Sequence, residues 1–455
     1  MTRRSLGLFW GLVSLIVLLL GQQSTLAVGK LGVGEKPFFA HQTQVEKTSD
    51  LVFPDYLERN GIISNYEQQV RQSPDSFLLL RLLADQYLKR FRERADVEDL
   101  LRAEQAARRS LTIQPSQNGV SSMLLASTLL SQHRFREALQ VATEAQKSAL
   151  GDASLASLKA SIQMELGDYE SAYQFLQTLT PESDENSGHS AVLARYLELT
   201  SHLSSARQLM DSAMQQMDQF YTNPAETRAW FHVRAGDLAF VAGDFTQSEQ
   251  RYREAIDLFP DSVAAFTGLA RLYAAQHRWQ SALEAANQGI DRVPLVETLS
   301  YRADAQQALG DSQGAAATAE LIEVVARLSQ VKGIYDRALA VYYLDHRIHL
   351  PEALEIAQRE VALRDDIYAE DTLAWAAAAN GQCQTAQQAI QQAMRHGTED
   401  ALLRFHHGMI ALQCGDRETA IQQLSGALRL NPQFHHKYAA EARQTLANLS
   451  LSKVK

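Results

Sequence analysis

The stretch GDFTQSEQRYREAIDLFPDS, Gly243 to Ser262, returns about one repeat length later as HRWQSALEAANQGIDRVP, His277 to Pro294. It returns again far downstream as GDRETAIQQLSGALRLNPQF, Gly415 to Phe434. Each copy is a turn, an aromatic or polar residue, a small residue, a helical pattern and then proline. Aligned on the small residue ahead of the second helix's apolar stripe, the copies superpose Ala138, Ala172, Ala206, Ser248, Ala282, Ala315, Ala353, Ala386 and Ala420. Ala138 to Ala172 and Ala172 to Ala206 are each steps of 34 residues, and the same step recurs from Ser248 to Ala282 and from Ala386 to Ala420. A fixed period of this length marks an array of small supersecondary units, none of which buries its apolar face alone.

Length and composition agree with an array. A chain of 455 residues is too long for one compact core. Apolar residues make up 45% and charged residues 21%, values ordinary for a folded chain. Proline is sparse and alanine, leucine and glutamine are abundant, which favours helix over strand. From about Pro54 to Leu449 apolar residues recur at three- and four-residue spacings, with no strand alternation and no hairpin signal. A net charge of −10 speaks against nucleic acid as a partner, because that binding needs a basic surface. The densest basic run, KRFRER at Lys89 to Arg94, sits at a helix end, where cations suit the dipole.

The first residues read as a targeting segment rather than as fold. Arg3 and Arg4 precede the apolar run Leu6 to Gly21, followed by a polar step and then Thr25-Leu26-Ala27. This is the order of a secretory signal peptide, residues 1–27, with cleavage expected after Ala27 and a periplasmic or extracellular destination. The alternative is an uncleaved anchor formed by residues 6–21, a run slightly short of the roughly 20 residues that span a bilayer comfortably. In that case membrane contact is made only through this segment. Residues 28–55 show no period and read as a flexible lead-in. An exported chain with two cysteines, Cys383 and Cys414, invites a disulfide. Both fall in turns of adjacent repeats, however, and a bridge needs Cα atoms within roughly 7 Å; two small residues filling turns is the other reading.

The copy from Ala265 to Pro294 carries the most specific resemblance. Phe266 opens its first helix, then come Leu269, Ala270, Tyr273, the turn, Trp279, Ala282, Ala286, Gly289 and the closing Pro294. The copy from Ala401 to Pro432 has Gly408, Ala411, Gly415, Ala420, Leu424, Ala427 and Pro432, and the copy before Pro260 has Gly236, Gly243, Phe245, Tyr252 and Ala255. The sequence resembles the tetratricopeptide-repeat proteins over nearly its whole length after residue 55, and its last repeats resemble those of bacterial exported members. The resemblance implies an all-α fold, a right-handed α-solenoid of antiparallel helix pairs, elongated, with a concave and a convex face. The physical basis is that small residues on facing stripes let paired helices approach while large ones fill the space beside them. About ten pairs are expected. A lone helix near Ile63 to Gln72 precedes them and a polar capping helix and tail follow at 433–455. An insertion near Tyr221 divides the array into blocks 56–216 and 217–432. The acidic loop Thr180 to Ser190 and the stretch Leu328 to Arg337 also strain the period.

The sequence holds no phosphate loop, no HExxH helix, no nucleophile elbow and no EF-hand loop. His346, His349 and Asp345 stand close in a turn but lack a second cluster. His406-His407 and His435-His436 are adjacent pairs, whose side chains on a helix diverge by about 100°, a poor chelate. The expectation is a non-catalytic protein-binding scaffold of the cell envelope, with unknown protein partners, no cofactor, no metal, no small-molecule substrate and no nucleic acid. A structural spacer and an enzyme with a non-local site are the alternatives. The lysine–asparagine pairs with which some family members clamp a chaperone's C-terminal carboxylate have no counterpart on the inner positions here. Large and charged residues at helical spacings on the expected concave side are Trp230, Val233, Asp237, Phe240 and Arg271 in the middle copies. Trp375, Phe405, Met409 and Leu412 are their counterparts in the C-terminal copies. They form the candidate partner-binding groove, suited to an extended or helical segment. Each of the large ones also fits an inter-helix core.

Overall fold

The computed structural model describes residues 55–146, 153–177, 187–219, 223–331 and 337–451. The signal segment, residues 28–54 of the lead-in, most of the acidic loop, Tyr221 and residues 332–336 lie outside the described residues. A 3₁₀ turn, Asp55–Glu58, leads into α1 (Arg59–Gln72). Ten antiparallel pairs follow: α2 (Phe77–Arg94) with α3 (Val97–Ile113), α4 (Gly119–Ser131) with α5 (Phe135–Gln146), and α6 (Ala153–Glu165) with α7 (Tyr169–Gln177). Next are α8 (Ser187–Leu199) with α9 (Leu203–Asp218), α10 (Ala225–Val241) with α11 (Phe245–Leu258), and α12 (Val263–Ala275) with α13 (Trp279–Arg292). The last pairs are α14 (Val296–Ala308) with α15 (Ser312–Val331), α16 (Arg337–His346) with α17 (Leu350–Leu363), α18 (Ile367–Ala379) with α19 (Cys383–Ala393), and α20 (Ala401–Gln413) with α21 (Arg417–Leu430). The cap is α22 (Tyr438–Leu451). Among the described residues there is no strand, and no helix is long and apolar enough to cross a membrane.

Packing follows the small-beside-large rule. Tyr252 on α11 is fully buried between two glycines of neighbouring first helices; a Cβ at Gly236 would lie 2.8 Å from its ring and one at Gly268 2.5 Å. Gly408 on α20 makes room for Leu424 on α21 in the same way, with 2.7 Å from a Cβ to the leucine side chain. Of the aligned small residues, Ala138, Ala172, Ala206, Ser248, Ala282, Ala353, Ala386 and Ala420 are all 0% exposed. Ala315 is the exception: α15 begins with an exposed turn, and its core stripe starts at Thr318, whose hydroxyl donates to Gln306 (2.7 Å) and accepts from Arg302 (3.0 Å). Aspartate or serine caps the first helix of several pairs. Ser262 accepts from Ala265 N–H (3.4 Å), Asp366 from Tyr368 N–H (2.9 Å) and Asp400 from Leu402 N–H (2.7 Å).

The array does not run out as an open rod. Turns of α6–α11 meet turns of α17–α22 that lie nearly six repeats further on. Ile367 N–H donates to the Tyr169 hydroxyl (3.1 Å), and Arg364 pairs with Glu165 (2.8 Å). The Thr398 hydroxyl donates to the Leu199 carbonyl (2.6 Å), and Leu203 N–H donates to Glu399 (3.2 Å). The Asn431 amide donates to the Phe240 carbonyl (2.8 Å). This seam corrects the expectation of an elongated solenoid: the curvature per pair is enough for successive superhelical turns to touch. Cys383, the first residue of α19, and Cys414, just after α20, are joined by a disulfide with Cα atoms 5.7 Å apart. That settles the alternative which spacing left open.

Candidate functional site

Closure turns the inner face of the array into a cavity of ≈ 370 Å³. First helices α10, α12, α14, α16, α18 and α20 face it, and the link from α21 to α22 closes one side. That link is the chain's own plug. Phe434 packs on Phe405 with ring centres 5.7 Å apart, and Tyr438 stacks on Phe405 at 4.7 Å. Two aspartates of first helices pin the plug. Asp304 on α14 meets His436 (3.0 Å), His346 (3.0 Å) and Lys437 (2.9 Å). Asp345 on α16 accepts from the Tyr438 hydroxyl (2.6 Å) and faces His435 (3.6 Å). Burial works against ionisation of Asp304, but hydrogen bonds from His346 and His436, with the charges of His436 and Lys437, hold its carboxyl far below the usual range. Burial and the neighbouring His435 push His436 down to about 4, against the pull of Asp304.

The candidate groove residues separate into three groups. Phe240, Arg271 and Trp375 line the cavity. Trp230, Val233 and Phe405 are core, at 2%, 4% and 0% exposure, and Met409 and Leu412 are half-buried against the C-terminal clusters. Asp237 accepts from the Tyr252 hydroxyl (2.8 Å) and from Arg271 (2.7 Å), whose guanidinium also lies over the Phe240 ring at 4.5 Å. Asp237 therefore holds Arg271 in place.

The cavity wall also contains residues that the spacing argument passed over. His406 donates from Nδ1 to Asp371 (2.9 Å) and stacks on the Trp375 indole with ring centres 4.6 Å apart. Glu297, Tyr301, Tyr342, Tyr368 and Arg337 complete much of the wall. Burial raises the Glu297 carboxyl, which Arg271 opposes. One signal in the sequence finds part of this set. Complementary polar residues about one period apart face each other on adjacent first helices, as Asp237 and Arg271 do, and likewise Asp371 and His406. The plug residues follow the last repeat's proline and carry no periodic signal. Among the described residues no group of histidine, cysteine, aspartate and glutamate could hold a metal ion. His346 is engaged with Asp304 and Lys437 instead.

Residues 123–187, 233–296 and 372–433 match the family model for the tetratricopeptide repeat. No curated protein matches the chain. Among solved structures the chain is similar to a tetratricopeptide repeat protein from Parabacteroides merdae, at 19% identity over 58% of this chain and 93% of that one, TM-score 0.36. It is similar to PilW, a type IV pilus biogenesis factor, at 17% identity over 46% of this chain and 94% of that one, TM-score 0.39. It is also similar to the human IFIT1 dimer with PPP-AAAA, at 13% identity over 77% and 96%, TM-score 0.41. The three matched stretches fall on α4–α7, α10–α13 and α18–α21, in register with the observed pairs, and these stretches are tetratricopeptide repeats.

Proposed function

We propose that the protein is a non-catalytic scaffold of the cell envelope that holds partner proteins on its outer faces. The observation that carries this reading is the closed inner wall. The interior left beside the plug, ≈ 370 Å³, is too small for a partner helix about 10–12 Å across. Phe434, His435 and His436 occupy part of the same wall as Phe240, Arg271 and Trp375. Apolar residues one turn apart on exposed faces, Leu78 with Leu82 on α2 and Val324 with Leu328 on α15, offer contacts away from the cavity lining. Export is supported by the Arg3-Arg4 and apolar-run pattern at the N-terminus and by the Cys383–Cys414 disulfide, a bond that persists in oxidising compartments. A cleaved signal would give a mature chain beginning near Val28.

The experiment is a crosslinked pull-down from the native envelope with three variants of unchanged helicity: Leu78→Asp with Leu82→Asp, Val324→Asp with Leu328→Asp, and Trp375→Ala. Loss of a partner in either outer pair with retention in Trp375→Ala supports the reading. Loss only in Trp375→Ala moves the contact inside and refutes the outer assignment.

A further inference from the structure

We propose that the interior cavity is a binding site for a small organic cation, an ammonium or guanidinium compound with N–H donors and an apolar body. This goes beyond the scaffold reading, since it concerns a ligand small enough to sit inside the closed turn. The volume, ≈ 370 Å³, falls in the range of about 300–1,000 Å³ typical of small-molecule sites.

Charge selects the sign of the ligand. Three arginines of the wall, Arg271, Arg337 and Arg364, stand against five carboxylates: Glu297, Asp345, Glu360, Asp371 and Asp400. The arginines are also spent. Arg271 pairs with Asp237 at 2.7 Å. Arg364 pairs with Glu360 (2.7 Å), Glu165 (2.8 Å) and Asp366 (3.0 Å). Arg337 lies 3.7 Å from Glu360. The wall thus carries more carboxylates than guanidiniums, and an anion entering would find each arginine already paired.

Unmet hydrogen-bond capacity selects the chemistry. Among the described residues Glu297 has no hydrogen-bond or ion-pair partner within reach, although it faces the cavity. Glu360 Oε2 and His406 Nε2 are buried without a hydrogen bond. His406 is only 5% exposed, and its Nδ1 is 2.9 Å from both Asp371 oxygens, so that nitrogen carries the proton. Unmet acceptors in a buried site call for a donor-bearing ligand. The unmet donors of the wall, Arg271 Nε, Arg337 Nη1 and Trp375 Nε1, suit a water or a ligand oxygen. None of them brings a charge that a carboxylate has not already met.

The rings supply the remaining attraction. Phe240, Tyr301, Tyr342, Tyr368, Trp375 and Phe434 all line the cavity. Aromatic faces attract cations, most strongly where water is excluded. Val341 belongs to the wall and is 39% exposed, which marks where the cavity meets solvent.

The test uses the full purified chain, titration calorimetry and thermal shift, and the probes benzylamine, agmatine and spermidine, with benzyl alcohol and benzoate as neutral and anionic counterparts of the first. Expected is one site per chain for at least one amine, with at least tenfold weaker binding of the alcohol and no binding of benzoate. Glu297→Gln should weaken the amine at least tenfold while leaving far-UV circular dichroism unchanged. Tyr301→Leu, which removes a ring face and no charge, should weaken it as well and serves if the first variant folds poorly. The proposal is overturned if no amine binds, if benzyl alcohol or benzoate binds as tightly as benzylamine, if a lysine-bearing peptide binds and no free amine does, or if a folded Glu297→Gln keeps full affinity.

Discussion

Gly167→Ala should open the superhelical seam, and its cost can be separated from that of an ordinary turn glycine. Gly167 lies between α6 and α7 at φ +78°, and a Cβ there would fall 1.8 Å from the Asp365 carbonyl oxygen on the next superhelical turn. Gly310, between α14 and α15, has φ +87° and nothing within 4 Å of a Cβ. The left-handed backbone costs a residue with a Cβ about 1–2 kcal/mol, partly offset by about 0.4–1 kcal/mol from the stiffer unfolded chain. Gly310→Ala should therefore lose about 1 kcal/mol. Gly167→Ala adds an overpacking cost of about 1–3 kcal/mol, because a backbone oxygen has to move. That oxygen also accepts from Arg395 (2.7 Å), and beside it Ile367 N–H reaches Tyr169 (3.1 Å). The total comes to about 3 kcal/mol. Urea denaturation measures both losses, and small-angle scattering should show a larger radius for Gly167→Ala alone. Equal losses in the two variants with unchanged scattering would refute the seam.

Further outcomes follow from single groups. Reducing Cys383–Cys414, or replacing both by alanine, releases a loop of sequence separation 31 and should cost about 3–4 kcal/mol; identical denaturation curves with and without reductant would contradict this. Burial lifts Glu226 to about 7, against the charge of Arg92, so its contribution is fully present below the unfolded value near 4.5 and is lost as pH rises through 7. The loss is about 3 kcal/mol. Glu226→Gln should therefore be more stable than the parent at pH 8, with the gap closing towards pH 5, and a gap independent of pH counts against it. Asp304→Asn should free the plug at a cost of about 2 kcal/mol, read as faster hydrogen exchange across 431–451; unchanged protection would show that the aromatic contacts hold the plug alone.

The repeat was legible because its cause is local. A small residue at the start of each second helix is dictated by the approach of its own partner helix, and eight of the nine aligned positions are fully buried for that reason. Ala315 misled because α15 adds an exposed turn at its start, which shifts the core stripe without altering the composition. The capping helix was legible from its position after the last proline, but its docking was not. Phe434, His435, His436 and Tyr438 follow that proline as an aperiodic run, and their partners Asp304, Asp345 and Phe405 belong to three different repeats. The inner-face residues divided for a related reason. Helical spacing places Trp230 and Phe405 on the same side as Arg271 and Trp375, yet only a neighbour's bulk decides which of them reach the cavity.

Closure changes what a charged inner face means. On an open solenoid Arg364 would stand in water beside its acids. Here it is 4% exposed among Glu165, Glu360 and Asp366, of which Glu165 comes from the turn nearly six repeats earlier. A buried guanidinium is tolerable only with such partners, and losing one leaves an uncompensated charge at a cost of several kcal/mol. The seam is therefore specified by electrostatics as much as by apolar contact. A slipped register would strand Arg364 without Glu165 and Glu165 without Arg364, whereas apolar turns would tolerate the slip. The same logic reaches the cavity. Glu297, left on its wall after the internal pairs are formed, has its carboxyl raised by burial against the pull of Arg271, and a donor-bearing cation beside it would offset that cost.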